Sequence, residues 1–257
     1  SKVYSGFNEP NKDTELVYGP SIKPWPSIEE LTPNVLLKVV AYIDDPVTTT
    51  DELIPSGETS SFRSDPYALS EFALSRKVPE YVGRAKVVRD WEKSRQEGES
   101  AADLVTAYEE VKQALGLTES VEDMAKSTAV SSMVYANRPG DGSAREQAAS
   151  CQRVLGGGAN IAIEYATKRY RSNVINWGML PFLTSEEDSK TMAVGDYVYV
   201  PNVRDQLFSD SDDYKAYVIS GGVKKAEITL HLGHLSDEEK DIIAAGCLIN
   251  YYANSKA

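Results

Sequence analysis

Apolar and polar residues change rhythm several times along this chain, and each rhythm predicts a different element. Residues 35–43 (VLLKVVAYI) are apolar and β-branched without clean alternation, the pattern of a strand buried on both faces. A second short apolar run at 133–136 is compatible with a strand, and 159–165 (ANIAIEY) form a third candidate. Residues 196–201 (DYVYVP) alternate, which predicts a half-exposed strand. Residues 214–219 and 226–231 flank Gly221-Gly222, a hairpin signal.

Helical periods occupy much of the remainder. In 79–95, Val82, Ala85, Val88 and Trp91 fall near one face, with Arg89 interrupting the stripe and charge on the opposite side. Ser100 with Asp103 offers a capping box for a second helix, on which Leu104, Tyr108, Val111 and Leu115 share a face and Gly116 is the stop. Charged faces like these are usually solvated, although an interface with another domain or subunit is the sharper reading. Residues 168–176 form another helix, whose Arg169 and Arg171 face either an anion or water, water being favoured for Arg169. Residues 1–30 show no sustained period, and Pro20, Pro24 and Pro26 break up any regular element. This stretch is expected to be an extended connector lying on something else. A first residue that is not methionine leads us to expect a chain that starts mid-gene, or was processed or engineered.

A chain of 257 residues with 41% hydrophobic content can bury a sizeable core. No apolar run is long enough to span a bilayer and the start is unlike a secretory signal, so a soluble cytoplasmic protein is expected. A net charge of −12 argues against a general nucleic-acid surface. The two cysteines, Cys151 and Cys247, fit no common metal or redox spacing and are expected to be buried thiols. His231 and His234 lie three apart without a third zinc ligand nearby in sequence.

The chemistry concentrates at Gly140-Asp141-Gly142-Ser143-Ala144-Arg145-Glu146-Gln147, read as strand, glycine turn and helix. The first N–H groups of a helix lack partners within it and carry partial positive charge, so a carboxylate or alkoxide there is stabilised. Glycine admits a ligand close to the main chain, and an arginine at position 145 can grip a carboxylate through two parallel hydrogen bonds. Ser143 with Glu146 three residues later is equally a capping box with no chemistry attached. Upstream, Thr49, Thr50 and Asp51 follow the first buried strand, a common place for ligand groups and an equally common place for turn-formers. Arg63 stands just before a helix begun by Asp65 and Pro66.

These two segments, 49–64 and 140–146, resemble the aconitase superfamily, specifically its C-terminal swivel domain. Residues 16–26 are similar to the family's linker into that domain, 174–182 (VINWGMLPF) to the segment after its second anion-facing helix, and 242–251 (IIAAGCLINY) to its closing helix. The resemblance implies an α/β domain of the swivelling β/β/α type over 31–257, a linker arm over 1–30, and a helical insertion at about 79–127. It implies that Ser143 is the base that removes a proton next to a carboxylate. Arg63 and Arg145 would bind substrate carboxylates, and Asp51 would belong to the polar network of the site. Where the family commonly has a second serine this chain has Ala144, which retains only its backbone N–H. Where the family often has histidine it has Glu52. Both departures suggest an altered substrate or altered tuning.

The function so implied is one domain of a hydro-lyase that isomerises a hydroxy di- or tricarboxylate by dehydration and rehydration. The family's [4Fe-4S] cluster is held by three cysteines on other domains, so none is expected to be bound by this chain, which alone should be inactive. The expected partners are the substrate and cluster-bearing domains, on the same polypeptide or on a large subunit, with neither nucleic acid nor membrane involved. The alternatives are a free small subunit of an isopropylmalate-isomerase type, weighed against by the proline-rich arm, and a non-catalytic anion-binding or interaction module, favoured by Ala144 and Glu52.

Overall fold

The computed structural model describes residues 11, 13–15 and 17–255. In chain order its elements begin with β1 (Asn34–Ile43), β2 (Thr48–Thr49), α1 (Thr50–Leu53), a 3-10 turn (Ser60–Phe62), α2 (Pro66–Ser70), α3 (Tyr81–Gln96), α4 (Ala102–Leu115) and α5 (Val121–Ser127). Next come β3 (Thr128–Ala136), β4 (Pro139–Asp141), α6 (Arg145–Val154), β5 (Gly157–Ala162), α7 (Lys168–Asn176), β6 (Leu180–Leu183) and α8 (Glu186–Ser189). The chain closes with β7 (Tyr197–Val200), α9 (Val203–Leu207), β8 (Tyr214–Ser220), β9 (Val223–Leu230), α10 (Asp237–Ala245) and α11 (Leu248–Ser255).

A seven-stranded sheet runs in the order β6-β5-β3-β1-β7-β8-β9. Its first four strands are parallel and joined through helices, whereas β7 to β9 are antiparallel. This is the α/β swivel-type architecture that the resemblance implied. β1 lies at the centre, which explains a sequence apolar but for Asn34 at its start and the half-buried Lys38. Leu36 and Val40 enter a core shared with α1 to α4, α6 and α7, whereas Val35, Leu37 and Val39 enter a second core with α9 and α10. An irregular step in register between Val39 and Ala41 breaks the alternation. Leu36 and Leu37 are fully buried, each contributing roughly 1.5–3 kcal/mol. The observed β7 is shorter than the alternating stretch and buried throughout, because it sits between β1 and β8 with both faces covered.

The predicted face of α4 is realised, with Leu104, Tyr108 and Val111 buried and Gly116 capping the helix in a left-handed conformation. Its predicted capping box is not, since Ala101 occupies the N-cap and leaves Ser100 one position too early. The stretch likened to a single closing helix is two, α10 and α11, parted at Gly246 (φ +96°), where a side chain would collide with the Glu29 carbonyl. The first ten residues and residues 12 and 16 of the expected linker arm lie outside the described residues. From Val17 to Pro33 the chain has no helix or strand and is seated on the domain. The Leu31 N–H donates to Ala244 O at 3.1 Å, Asn250 donates to Ile28 O at 2.8 Å, and the Trp25 and Trp177 rings lie 4.5 Å apart.

Behind α6 and α7 lies a polar network inside the first core. The Tyr170 hydroxyl donates to Asn160 Oδ1 (2.6 Å) and accepts from Gln152 Nε2 (2.9 Å), while Asn160 donates to Gln152 Oε1 (2.7 Å). Burial without these partners would be costly. Both cysteines are buried thiols, and burial pushes Cys151 up to about 12.

Tyr170→Phe should cost about 1–3 kcal/mol in chemical denaturation, because two buried amides lose a shared partner; an unchanged midpoint would show that water replaces the hydroxyl. Cys151 should resist iodoacetamide at pH 8 in the folded chain and react only on unfolding, a difference that mass spectrometry resolves.

Candidate functional site

The loops that leave the two central parallel strands set the site. β1 and β3 end together at Ile43 and Ala136, so their C-terminal loops leave the same end of the sheet, the end where open α/β sheets place ligands. Asn137 ties these ends. Its side-chain amide donates to the carbonyls of Asp44 (3.0 Å) and Asp45 (3.3 Å), and its own carbonyl accepts from the N–H groups of Ile163 and Glu164, both at 3.1 Å. Beyond it the two loops pair directly. Thr48 and Thr49 of β2 bridge in parallel to Pro139 and Asp141 of β4, which lays the loop bearing Asp51 alongside the turn bearing Ser143.

On the first loop, Thr49 caps α1 through a complete capping box. Its hydroxyl accepts from the Glu52 N–H (3.2 Å) and the Glu52 carboxylate accepts from the Thr49 N–H (2.7 Å). Glu52 also pairs with Lys77 at 3.4 Å, and Lys77 forms a second ion pair with Asp45. The charge of Glu52 is therefore engaged in fixing the loop. Asp51 is exposed, and its carboxylate accepts from the N–H and the hydroxyl of Ser56, both at 2.9 Å, with Arg76 at 3.7 Å. The Ser56 backbone bond first, then the Ser56 hydroxyl and Arg76, hold the Asp51 carboxyl below the usual carboxylate range.

The glycine turn is built by contact. Gly140 (φ +98°) passes against the face of Tyr170, and Gly142 (φ +133°) against the buried Thr50 hydroxyl; a side chain at either would overlap that neighbour. The Gly140 carbonyl accepts from the Thr167 hydroxyl (3.0 Å), which also caps α7. Ser143 is exposed immediately before α6. The predicted capping box of Ser143 with Glu146 does not form. Ala144 occupies the N-cap and brings no side chain, and the Glu146 carboxylate accepts instead from the Trp177 indole N–H at 3.1 Å. Arg145 is the first residue of α6, and its side chain lies outside the described residues.

Arg63 is exposed at the end of the 3-10 turn. Asp65 then caps α2 by accepting from the Tyr67 and Ala68 N–H groups, and α2 packs against α6. Three segments thus converge on α6 and the turn before it, those of Asp51, Arg63 and Ser143, with Ala144 at the N-cap. Arg169 is exposed, as favoured, whereas Arg171 donates to the carbonyls of Leu232 and His234, both at 2.9 Å. His231 Nδ1 lies 3.0 Å from the Asp212 carbonyl oxygen, and among the described residues no group of three or more histidine, cysteine or acidic side chains could hold a metal. Sequence reasoning missed Asn137, Thr167 and Trp177. Thr167, three residues before Tyr170 and next to Lys168, carried a legible capping signal, but long-range bonds such as those of Asn137 leave none.

The surroundings are open. A cleft of about 540 Å³ lies elsewhere, between residues 26–32 and the C-terminal end of α6, whereas Asp51, Arg63 and Ser143 all face solvent. Among the described residues no helix is long and apolar enough to cross a membrane.

Comparison with known proteins bears on the fold and on one of these segments. Residues 88–187 match the family model for the aconitase C-terminal domain. That span holds the Gly140 to Arg145 turn but not the Asp51 and Arg63 segments. Among solved structures, a 3-isopropylmalate dehydratase from Methanocaldococcus jannaschii is similar with a TM-score of 0.51 and 19% identity, covering 88% of this chain and 96% of that one. At that identity the likeness concerns the fold. No curated protein sequence matches the chain.

Gly142→Ala should displace the turn from Thr50 at a cost of about 1–3 kcal/mol, a range set by the strained backbone alone; full stability in a thermal melt would contradict the contact. Ser56→Ala should raise the Asp51 carboxyl part of the way toward its ordinary range, since the backbone bond remains, as followed by NMR titration. Because that carboxyl is lowered on folding, its contribution to stability is present above the ordinary carboxylate range and is lost as the pH falls through the lowered value.

Proposed function

We propose, from the match of residues 88–187 to the aconitase C-terminal domain family model, that this chain is the substrate-binding swivel domain of an aconitase-like hydro-lyase acting on a hydroxy di- or tricarboxylic acid. The observation that carries this reading is the parallel bridge of Thr48–Thr49 to Pro139–Asp141, which sets the Asp51 loop beside Ser143 at the start of α6.

Ser143 is the base in this reading. A serine hydroxyl ionises far above neutral pH, so it can take a proton from the carbon next to a carboxylate only where its alkoxide is stabilised. The unpaired N–H groups of the first turn of α6 and the positive charge of Arg145 do this. Arg145 and Arg63 grip substrate carboxylates. Ala144 offers its backbone N–H, and Asp51, held ionised by Ser56, orders the polar edge of the site. Glu52 does not act on substrate, because it is engaged in the α1 capping box and with Lys77.

The chain's own residues do not fit an iron-sulfur cluster, since its only two cysteines are both buried and a cluster needs three or four thiolates. The cluster belongs, on this reading, to partner domains, which also close the exposed site against water. The isolated chain is then inactive. The match spans nearly the whole of the dehydratase chain, and this favours a second reading in which the domain works as a separate small subunit beside a large cluster-bearing one.

Combined with its cluster-bearing portion and offered a panel of hydroxy acids, the chain should show hydro-lyase turnover. Ser143→Ala should lower kcat by about 10²–10⁴, the usual worth of a positioned base, and Arg145→Lys should act mainly on KM. Full turnover by the serine variant would remove Ser143 as the base. An intact assembly inert toward the whole panel would leave an anion-binding module.

A further inference from the structure

The capping box that the sequence of α6 invites, Ser143 with Glu146, is absent for a structural reason. A carboxylate in the first turn of a helix is drawn to the unpaired N–H groups there. Those are the donors that a bound anion would need. In this fold the Glu146 carboxylate lies elsewhere, accepting from Trp177 Nε1 at 3.1 Å. Trp177 caps the C-terminal end of α7, which packs along α6. Its ring is covered by Trp25, at 4.5 Å between centroids and tilted by 47°, on the segment that leads into β1. That segment is fastened on both sides of Trp25, by the Lys23 N–H to Ser64 O at 2.9 Å and by Asn250 to Ile28 O at 2.8 Å. The first of these fastenings adjoins Arg63.

We propose that Trp177 is a positioning residue that draws Glu146 away from the start of α6 so that its N–H groups stay free for a substrate carboxylate, and that Trp25 braces it. This rests on the carboxylate-binding reading above. It makes the α6 site dependent on how the arm is seated: where Trp25 leaves Trp177, the indole is free to turn, and Glu146 can swing back and compete with substrate as an internal anion. The residues added to the site, Trp25, Trp177 and Glu146, act through geometry and touch no reacting atom.

The test uses the full chain, with tricarballylate as a tricarboxylate that lacks a hydroxyl and cannot be dehydrated. The chain has three tryptophans, and Trp177→Phe identifies the Trp177 indole N–H resonance by deleting it. In Glu146→Ala that resonance should move upfield, having lost a charged acceptor. By calorimetry, Trp177→Phe should weaken tricarballylate binding about tenfold, the worth of a charge-assisted hydrogen bond. Trp25→Ala should weaken it by less. Adding Glu146→Ala to Trp177→Phe should restore the wild-type affinity, a rescue that general damage to the fold would not give. An indole resonance unmoved by Glu146→Ala overturns the proposal, and that variant decides the matter even if Trp177→Phe fails to fold. Binding by the wild type that Trp177→Phe leaves unchanged overturns the positioning role alone. A wild-type chain that binds no tricarballylate overturns the carboxylate-binding reading, and the positioning role with it.

Discussion

Everything proposed for this molecule depends on the close approach of two loops at one end of the sheet. β1 and β3 are neighbours in register, so their continuations leave side by side. The short β2–β4 bridge then holds the loops parallel, and Gly142 lets the second turn rest on the Thr50 hydroxyl with no side chain between. Residues more than ninety positions apart become one surface in this way. The fastening is polar and local, through Asn137, Thr49, Glu52 and Thr167, while the stability that supports it comes from the two apolar cores on either side of β1. That division lets the loops carry exposed chemistry without weakening the fold.

Much of the fold was legible because its strongest signals are local. The apolar run of β1, the Gly221-Gly222 hairpin, the stripe of α4 with its glycine stop, and α7 at its predicted bounds all arise from residues close in sequence. The misreadings share a cause. The burial of β7 depends on β1 and β8, and the break at Gly246 depends on the Glu29 carbonyl. Both capping boxes read at Ser100 and Ser143 failed by one position, because an alanine took the N-cap. Spacing alone proposes such a motif, and only the path of the chain into the helix decides it.

At the site, sequence indicated which segments mattered more than what each side chain does. The pattern of residues points to the segments of Asp51 and Ser143, the resemblance implies their roles, and the two segments lie side by side. Glu52, where the family often has histidine, closes a capping box and meets Lys77, so its carboxylate is engaged in fixing the loop. Ala144 brings no capping side chain to the start of α6, and the Glu146 carboxylate accepts from the Trp177 indole instead. Asp51, Arg63 and Ser143 are all exposed, which the proposed completion of the site by another domain requires.

The most direct measurement is backbone amide NMR of the full chain titrated with a hydroxy tricarboxylate such as citrate. On this account the largest shifts fall together on residues 49–52, 62–64 and 140–147, with Ser143 and Ala144 foremost. Shifts centred instead on the cleft beneath residues 26–32, or scattered over the surface, would contradict the claim that the paired loops form the carboxylate site.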